Sequence, residues 1–169
     1  MPVAVYPGSF DPLTVAHLAV ATAALEQLHL ERVDLAVAAA PLGKPHLAER
    51  GLPRLERVRA AIGDRPRLRA VGSTSPLIAD QAAGYEVVVL GADKWDQVLD
   101  RSWYEDDDHR DRALAALPVV AVAPRDGWDV RAWPGVDLRI LEVPAHLGEV
   151  SATAVRAGRS IWAARPDRD

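Results

Sequence analysis

A chain of 169 residues, of which 49% are apolar and 26% charged, has the composition of one folded globular domain rather than a disordered protein. Its net charge of −4 argues against general nucleic-acid binding, and the absence of cysteine excludes disulfides and thiolate metal sites. The sequence shows neither a signal peptide nor an apolar run of about 20 residues, the length that spans a membrane, so we expect a cytoplasmic protein with no membrane partner.

Strands and helices are predicted to alternate along the chain. The predicted strands are Pro2–Tyr6, Val33–Ala39, Arg67–Val71, Glu86–Leu90, Pro118–Ala123 and Asp137–Val143. The predicted helices are Thr14–Leu30, Leu55–Ile62, Pro76–Ala83, Lys94–Leu99, Arg110–Leu117 and Ser151–Ala157. This alternation predicts an α/β fold: a doubly wound, mainly parallel, Rossmann-like sheet of about five to six strands with helices on both faces, in a single domain over residues 1–169.

Two longer connections are predicted to be loops. They are Pro41–Pro53, which contains Lys44, and the acidic segment Trp103–Asp108. We also expect three arginines to share the polar side of the second helix, namely Arg54, Arg57 and Arg59.

Chemically distinctive residues follow four of the predicted strands. Gly8–His17 follows the first strand, Lys44 and His46 the second, Gly91–Asp93 the fourth and Ser151–Arg156 the last. Ligands of doubly wound sheets bind outside the carboxyl ends of the strands, where the strand order reverses. The sequence therefore predicts one ligand site at this edge of the sheet.

The loop after the first strand is suited to an anionic ligand. It contains neither a G-x-G-x-x-G fingerprint nor a P-loop, but it leads into a helix whose free N–H groups and dipole attract phosphate. Thr14 and His17 lie three residues apart, on one face of the first helical turn. Taken alone, Thr14 could simply cap the helix and His17 could be a partly buried polar residue.

A second anion site is predicted at the start of the last helix. Ser151, Thr153 and the local N–H groups would hold a phosphate, and Arg156 lies one turn further on. We expect His17 to donate to phosphates, most strongly when protonated, and Lys44 to neutralise their charge. Ser151 as a plain cap and Arg156 as a solvated side chain stay open as alternatives.

Two stretches of the chain resemble the signatures of the nucleotidylyltransferase superfamily. Gly8–Leu18 is similar to G-x-F-D-P-x-[TH]-x-G-H, and Val150–Arg156 is similar to I-S-S-T-x-x-R. The most similar members are the nicotinate mononucleotide and phosphopantetheine adenylyltransferases. Leu90–Asp93 followed by Trp103 resembles the G-A-D…W segment of the nicotinate enzyme, and Val122–Gly127 resembles its strand and arginine turn.

The resemblance implies an adenylyltransferase that moves AMP from ATP to a phosphate-bearing acceptor and releases pyrophosphate. Nicotinate or nicotinamide mononucleotide is the expected acceptor, and phosphopantetheine is the alternative. Mg²⁺ bound through the ATP phosphates is the expected cofactor, with no metal ligands from the protein and no nucleic-acid partner; a homo-oligomer stays open. Ala16 and Ala152 replace a Gly and a Ser of the signatures, so a nucleotide-binding protein with impaired catalysis is a further alternative.

The resemblance also implies three sets of site residues. The expected catalytic residues are His17, Thr14, Lys44 and Arg156. The expected nucleotide-binding residues are Gly8, Ser9, Phe10, Thr14, His17, Gly91, Asp93, Ser151, Thr153 and Arg156. The expected acceptor-binding residues are Ser9, Lys44, Asp93, Trp103 and Arg125. Asp93 as a helix cap and Trp103 as a packing residue remain alternatives.

Overall fold

The computed structural model describes residues 1–148, 150 and 152–166, with the side chains of residues 49, 50 and 152 left aside. The strands are β1 (Val3–Gly8), β2 (Arg32–Ala38), β3 (Leu68–Ser73), β4 (Val87–Gly91), β5 (Val119–Ala123) and β6 (Leu138–Ile140). The helices are α1 (Val15–Gln27), α2 (Gly51–Ile62), α3 (Ile78–Ala82), α4 (Ala92–Leu99), α5 (Asp107–Ala115) and α6 (Ala152–Arg156). Short 3-10 segments lie at Pro45–Arg50, Arg101–Trp103, Ala145–Leu147 and Ser160–Trp162.

The described strands form a six-stranded sheet in the order β3-β2-β1-β4-β5-β6, and each neighbouring pair is parallel. The order therefore reverses between β1 and β4, where the chain moves to the other half of the sheet. This arrangement confirms the predicted α/β fold with a doubly wound, parallel sheet. It also brings the loops after β1 and β4 next to each other, which is where such sheets bind ligands.

Apolar side chains cover both faces of the sheet. On one face, Val20 and Leu25 of α1 pack with Val58 and Ile62 of α2 against alternate residues of β1 and β2. On the other face, α3, α4 and α5 pack against the remaining strand residues around the fully buried Trp95. Strands that are covered on both faces become continuous apolar runs, and this explains why they are recognisable in the sequence.

Several predicted boundaries are wrong. The predicted loop Pro41–Pro53 contains a 3-10 segment and the first residues of α2. The predicted loop Trp103–Asp108 includes the start of α5, since the Asp106 carboxylate accepts from the His109 N–H at 2.6 Å and caps that helix earlier than expected.

The last strand is shorter than the predicted Asp137–Val143. β6 ends at Ile140, and the main chain of Glu142 pairs instead with the Gln27 side chain. The Gln27 amide donates to the Glu142 carbonyl at 2.8 Å and accepts from the Glu142 N–H at 2.9 Å. Within the described residues, no helix combines the length and apolar character needed to cross a bilayer.

Candidate active site

A cleft of about 840 Å³ opens at the carboxyl ends of β1, β4 and β5, where the strand order reverses. The structure brings most of the predicted site residues to its walls: Gly8, Ser9, Phe10, Thr14, His17, Lys44, Gly91, Asp93, Trp103, Arg125, Thr153 and Arg156. Ser151, predicted as a phosphate ligand, lies outside the described residues.

The two sides of the cleft are built differently. We call Gly8–His17 with Arg54 and Arg156 the first-strand side, and Asp93, Lys94, Gln97, Trp103 and Arg125 the fourth-strand side.

The buried Phe10 ring packs closely against the start of the loop that follows β1. A side-chain carbon at Gly8 would lie only 2.6 Å from this ring, so glycine is required there. Phe10 itself has a φ of +46°, a left-handed conformation that is strained for a bulky residue. Its ring meets the His17 imidazole edge to face, with centroids 5.1 Å apart. Phe10, predicted to bind nucleotide, thus supports the imidazole that lines the cleft.

Thr14 and His17 cap the first turn of α1 reciprocally. The Thr14 N–H donates to Nδ1 of His17 at 2.9 Å, and the His17 N–H donates to Oγ1 of Thr14 at 3.4 Å. Because Nδ1 is an acceptor in this cap, the neutral imidazole carries its proton on Nε2. Thr14 is fully buried, so its hydroxyl serves the cap.

The ionisation of His17 differs from the sequence-based expectation. Burial lowers its pKa from 6.5 to about 4, the positive charges of Arg125 and Lys44 act in the same direction, and Asp93 opposes them. The imidazole is therefore neutral near pH 7, so it is not in the protonated form that we expected to donate most strongly. A neutral ring with Nε2–H still offers one hydrogen-bond donor to the cleft.

Arg156 connects the last helix to the first loop. Its guanidinium donates to the main-chain carbonyl of Asp11 and, at 3.1 Å, to Oγ1 of Thr153. The Asp11 carboxylate is 3.2 Å from the guanidinium of Arg57 and 3.9 Å from that of Arg156. Both predicted anion sites consequently lie on one cleft, with Arg156 in contact with the loop that precedes His17.

Arg54 holds the same loop from behind. This arginine is fully buried, in contrast to the polar side of the helix where we expected it. Its guanidinium donates to the Ser9 carbonyl at 2.9 Å and to the Ala38 carbonyl at 2.6 Å. Longer bonds reach the carbonyls of Ala39 and Leu47. The loop after β1 is thereby tied to the end of β2 and to the segment that carries Lys44.

Lys44 lies at the exposed rim of the cleft. Its ammonium group donates to Oγ of Ser9 at 3.1 Å. Ser9 and Lys44 were predicted to share an acceptor site, and the structure places their side chains in contact. A cation at this position faces any anion that enters the cleft above the β1 loop.

The fourth-strand side begins with an ion pair. Gly91 ends β4, and a side-chain carbon there would lie 2.8 Å from Oδ1 of Asp93. The other carboxylate oxygen of Asp93 accepts from Arg125 at 3.2 Å, and both side chains are about two-fifths exposed. Asp93 and Arg125, predicted from separate segments to bind the acceptor, therefore form one polar unit at the mouth of the cleft.

Trp103 and Lys94 form the outer wall on the fourth-strand side. A side-chain carbon at Gly43 would lie 3.2 Å from Cη2 of Trp103, so glycine lets the loop after β2 approach the indole. Lys94 on α4 donates from its ammonium group to Oε1 of Gln97. Trp103, Lys94 and Gln97 all line the cleft, next to the Asp93–Arg125 pair.

Sequence reasoning missed Arg54 and Lys94. Arg54 is in line with Val58 and Ile62 at a spacing of four residues, and all three are buried on the same face of α2. That spacing could have indicated its burial. Lys94 and Gln97 are three residues apart on α4, but no feature of the sequence distinguishes this pair from a solvated one.

The carboxylates of the cleft are largely engaged by arginines. Asp11 pairs with Arg57, Asp93 with Arg125 and Asp96 with Arg131. Among the described residues, no cluster of three or more histidine, aspartate or glutamate side chains could hold a metal ion.

Comparison with known proteins places this geometry in context. The family described as cytidylyltransferase-like matches residues 5–158. A probable nicotinate-nucleotide adenylyltransferase of Bordetella avium is 33% identical over 165 residues, which cover 90% of this chain and 79% of that protein. A protein of the same name from Rubrobacter xylanophilus is 30% identical over 177 residues, with coverages of 92% and 79%.

Solved structures with a similar fold include a Plasmodium falciparum nicotinic acid mononucleotide adenylyltransferase. Its complex with APC has a TM-score of 0.58 at 15% identity, and its complex with NaAD has a TM-score of 0.60 at 14% identity. Each alignment covers 92% of this chain and 82% of that chain. At these identities the likeness shows the fold alone.

Proposed function

This chain belongs to the cytidylyltransferase-like family and is a nucleotidyltransferase, and we propose that it transfers AMP from ATP to nicotinate mononucleotide, with nicotinamide mononucleotide as the other pyridine acceptor. Family membership confirms the resemblance drawn from the two signatures. The relatives from Bordetella avium and Rubrobacter xylanophilus are both named for the nicotinate reaction, which supports this choice of acceptor.

One observation carries the proposal. His17 from the first signature and Arg156 from the last line the same cleft, and Arg156 donates to the main chain of Asp11, six residues before His17. A triphosphate in this cleft would meet hydrogen-bond donors from both ends of the chain. Nucleotidyl transfer needs such an arrangement, because charge on the phosphates must be held and neutralised on more than one side.

The hydrogen-bond donors of the cleft suit a direct transfer of AMP. A phosphate oxygen of the acceptor attacks the α-phosphorus of ATP in line, the bond to the bridging oxygen of the β-phosphate breaks, and pyrophosphate leaves. No protein nucleophile is required. His17 donates from Nε2 to the triphosphate, Arg156 neutralises charge on the leaving group, and Lys44 neutralises charge where the acceptor phosphate meets the α-phosphate; the positive end of the α1 dipole adds to their effect. Thr14 orients His17.

The acceptor binds on the fourth-strand side. Asp93 and Arg125 meet its polar groups, Trp103 offers an aromatic face to its ring, and Ser9 with Lys44 holds its phosphate near the reacting phosphorus. Stacking of a ligand ring on tryptophan suits a pyridine nucleotide better than the flexible, non-aromatic chain of phosphopantetheine. This difference supports the pyridine acceptor over the alternative.

Mg²⁺ is the proposed cofactor, and it enters with ATP. When bound, it would neutralise part of the negative charge of the triphosphate. Lys44 and Arg156 are available to hold the remaining negative charge. Asp93 and Asp96 of the cleft are paired with arginines, which supports a Mg²⁺ held by the ATP phosphates rather than by these carboxylates.

Two further proposals concern the chain as a whole. Strands from Val3 to Ile140 share one sheet, which supports a single nucleotidylyltransferase-like domain over residues 1–169. We also infer a competent rather than an impaired enzyme. The Ala16 methyl lies on the cleft wall beside His17, and the hydrogen bonds that orient His17 and Arg156 are formed in its presence.

The experiment is a release assay. Purified protein with ATP and Mg²⁺ is supplied in turn with nicotinate mononucleotide, nicotinamide mononucleotide and phosphopantetheine, and pyrophosphate is measured. We expect release with the pyridine nucleotides and none with phosphopantetheine. Calorimetric titration with ATP runs in parallel. ATP binding without release for any acceptor would establish the impaired protein instead, and release with phosphopantetheine alone would overturn the choice of acceptor.

A further inference from the structure

Lys94 is a cation of the cleft for which the proposed chemistry has no role. It lies partly buried on α4, and its ammonium group donates to the neutral amide oxygen of Gln97. The neighbouring carboxylates of the cleft are engaged elsewhere: Asp93 with Arg125, and Asp96 with Arg131. A partly buried ammonium group is costly to desolvate unless an anion compensates it, so an anionic ligand at this position would be stabilised.

A second lysine strengthens the positive potential at this wall. Burial lowers the pKa of Lys94, the charge of Lys44 lowers it further, and Asp93 opposes both effects. Lys44 and Lys94 therefore act on the same region of the cleft from two different segments. Negative charge between the two lysines would relieve their mutual repulsion and fix both as ammonium groups.

The aromatic part of the proposed acceptor site adjoins Lys94. A side-chain carbon at Gly43 would lie 3.2 Å from the Trp103 indole and 3.9 Å from Nε2 of Gln97, the residue that holds the Lys94 ammonium group. Trp103, Gln97 and Lys94 thus form one continuous surface. Trp103 and Lys94 line the same cleft, so a ring stacked on the indole would lie on the wall that also carries the Lys94 ammonium group.

We propose that Lys94 is a specificity-determining residue that pairs with the carboxylate on the pyridine ring of the acceptor, so that the enzyme prefers the acid over the corresponding amide. This inference rests on the proposed function. The amide of nicotinamide mononucleotide is neutral and leaves the ammonium group without a counter-charge, whereas the carboxylate of nicotinate mononucleotide supplies one. A site built for a charged partner rejects an analogue that lacks the charge.

The test compares two acceptors and two substitutions. Binding of nicotinate and nicotinamide mononucleotide is measured by calorimetry with a non-hydrolysable ATP analogue present, and kcat and KM are measured with ATP. Lys94→Gln should weaken binding of the acid about 10- to 100-fold, the range for a lost hydrogen bond to a charged group. Its effect on the amide should stay below about threefold, and kcat should change little.

Lys94→Arg keeps the charge and should retain the preference for the acid. Arg112→Gln, which removes an exposed charge from α5 outside the cleft, is the matched control and should leave both acceptors unaffected. Equal losses for the two acceptors in Lys94→Gln would overturn the inference, as would a Lys94→Arg variant without the preference. Thermal unfolding of each variant identifies any loss that arises from misfolding.

The outcomes separate this inference from the proposed function. Turnover of both acceptors with no preference in the wild-type protein retains the function and overturns the role of Lys94. Selective, Lys94-dependent binding of the acid without pyrophosphate release overturns the function and retains the role of Lys94. Absence of binding for both mononucleotides overturns both.

Discussion

On the first-strand side of the cleft, functional side chains are held by main-chain hydrogen bonds and buried rings. Arg54 donates to carbonyls of three separate segments, and His17 is fixed by the Thr14 cap and the Phe10 ring. On the fourth-strand side, side chains hold one another at the surface. The Asp93–Arg125 pair is about two-fifths exposed, and Lys94 is held by a single amide oxygen.

The difference corresponds to two chemical tasks. Phosphate transfer needs donors that stand in place before the charge develops, because reorganisation during the reaction weakens stabilisation of the transition state. On the first-strand side, hydrogen bonds to main-chain groups hold the donors in place. In the proposed function, recognition of an acceptor ring needs side chains that reach its substituents from the surface of the cleft. Partly exposed side chains on α4 and Trp103 of the 3-10 segment at Arg101–Trp103 provide that surface.

The largest expected effect comes from the anchor of the first-strand side. Arg54→Met removes the guanidinium and leaves the carbonyls of Ser9, Ala38 and Leu47, the last two of them in buried hydrogen bonds, without this donor. Loss of such a buried network costs about 4 kcal/mol, which lowers the thermal midpoint of a chain of this length by about 10 °C. Denaturant unfolding and a thermal melt measure the change.

The same helix supplies the control for Arg54. Arg59 is half exposed and pairs with Glu56 on the surface, so Arg59→Met should cost less than about 0.5 kcal/mol. Similar losses for the two variants would show that the buried arginine contributes no more than a surface ion pair. That result would mean that buried hydrogen bonds do not hold the first-strand side more firmly than surface ion pairs hold the fourth-strand side.

The next effect is on turnover. His17→Ala removes the Nε2 donor and should lower kcat about 100-fold, as expected for loss of a donor to developing charge. The lost cap costs only about 1 kcal/mol of stability, so the protein stays folded. Pyrophosphate release is measured beside that of His109→Ala, a change on α5 outside the cleft that should leave kcat unaltered. A His17→Ala variant with wild-type turnover would contradict the proposed role.

Much of the fold is predictable because the strands are locally distinctive. The run Val87–Leu90 is apolar on both faces, and the β1 loop carries its signature within a dozen residues. β6 was predicted too long, because its end is set by Gln27, more than a hundred residues away. Local patterns contain no information about such a partner.

Most of the residues predicted for the site line one cleft, but their charge and burial were not predictable from the sequence. Proximity of His17 and Arg156 follows from the topology of a doubly wound sheet. The neutral imidazole does not follow, since burial and the charges of Arg125 and Lys44 that lower its pKa come from distant segments. Arg54 was assigned to the wrong side of α2 because arginine is rarely buried, and only its carbonyl partners explain the exception.

A smaller effect is expected on the fourth-strand side. Trp103→Ala removes the aromatic face and should raise KM for the acceptor about tenfold, in the range of one lost stacking contact. KM for ATP and the stability should change little, since the indole is partly exposed and packs on Gly43. Trp103→Phe should recover most of the affinity. A larger change in KM for ATP than for the acceptor would place Trp103 in the nucleotide site instead.

The smallest expected effect is on the pH profile, and it tests the rigid side directly. Because the pKa of His17 is lowered to about 4, the imidazole is already neutral at pH 5.5 and stays neutral as the pH rises. Deprotonation of His17 therefore contributes no decrease in kcat/KM for ATP between pH 5.5 and 7.5, and we expect the shape of the profile to be the same with and without the imidazole. A steady-state profile of the wild-type protein and of His17→Asn measures this. A descending limb centred near pH 6.5 that His17→Asn abolishes would mean that the free enzyme uses the imidazolium, and that the cap and burial do not set the charge of this residue.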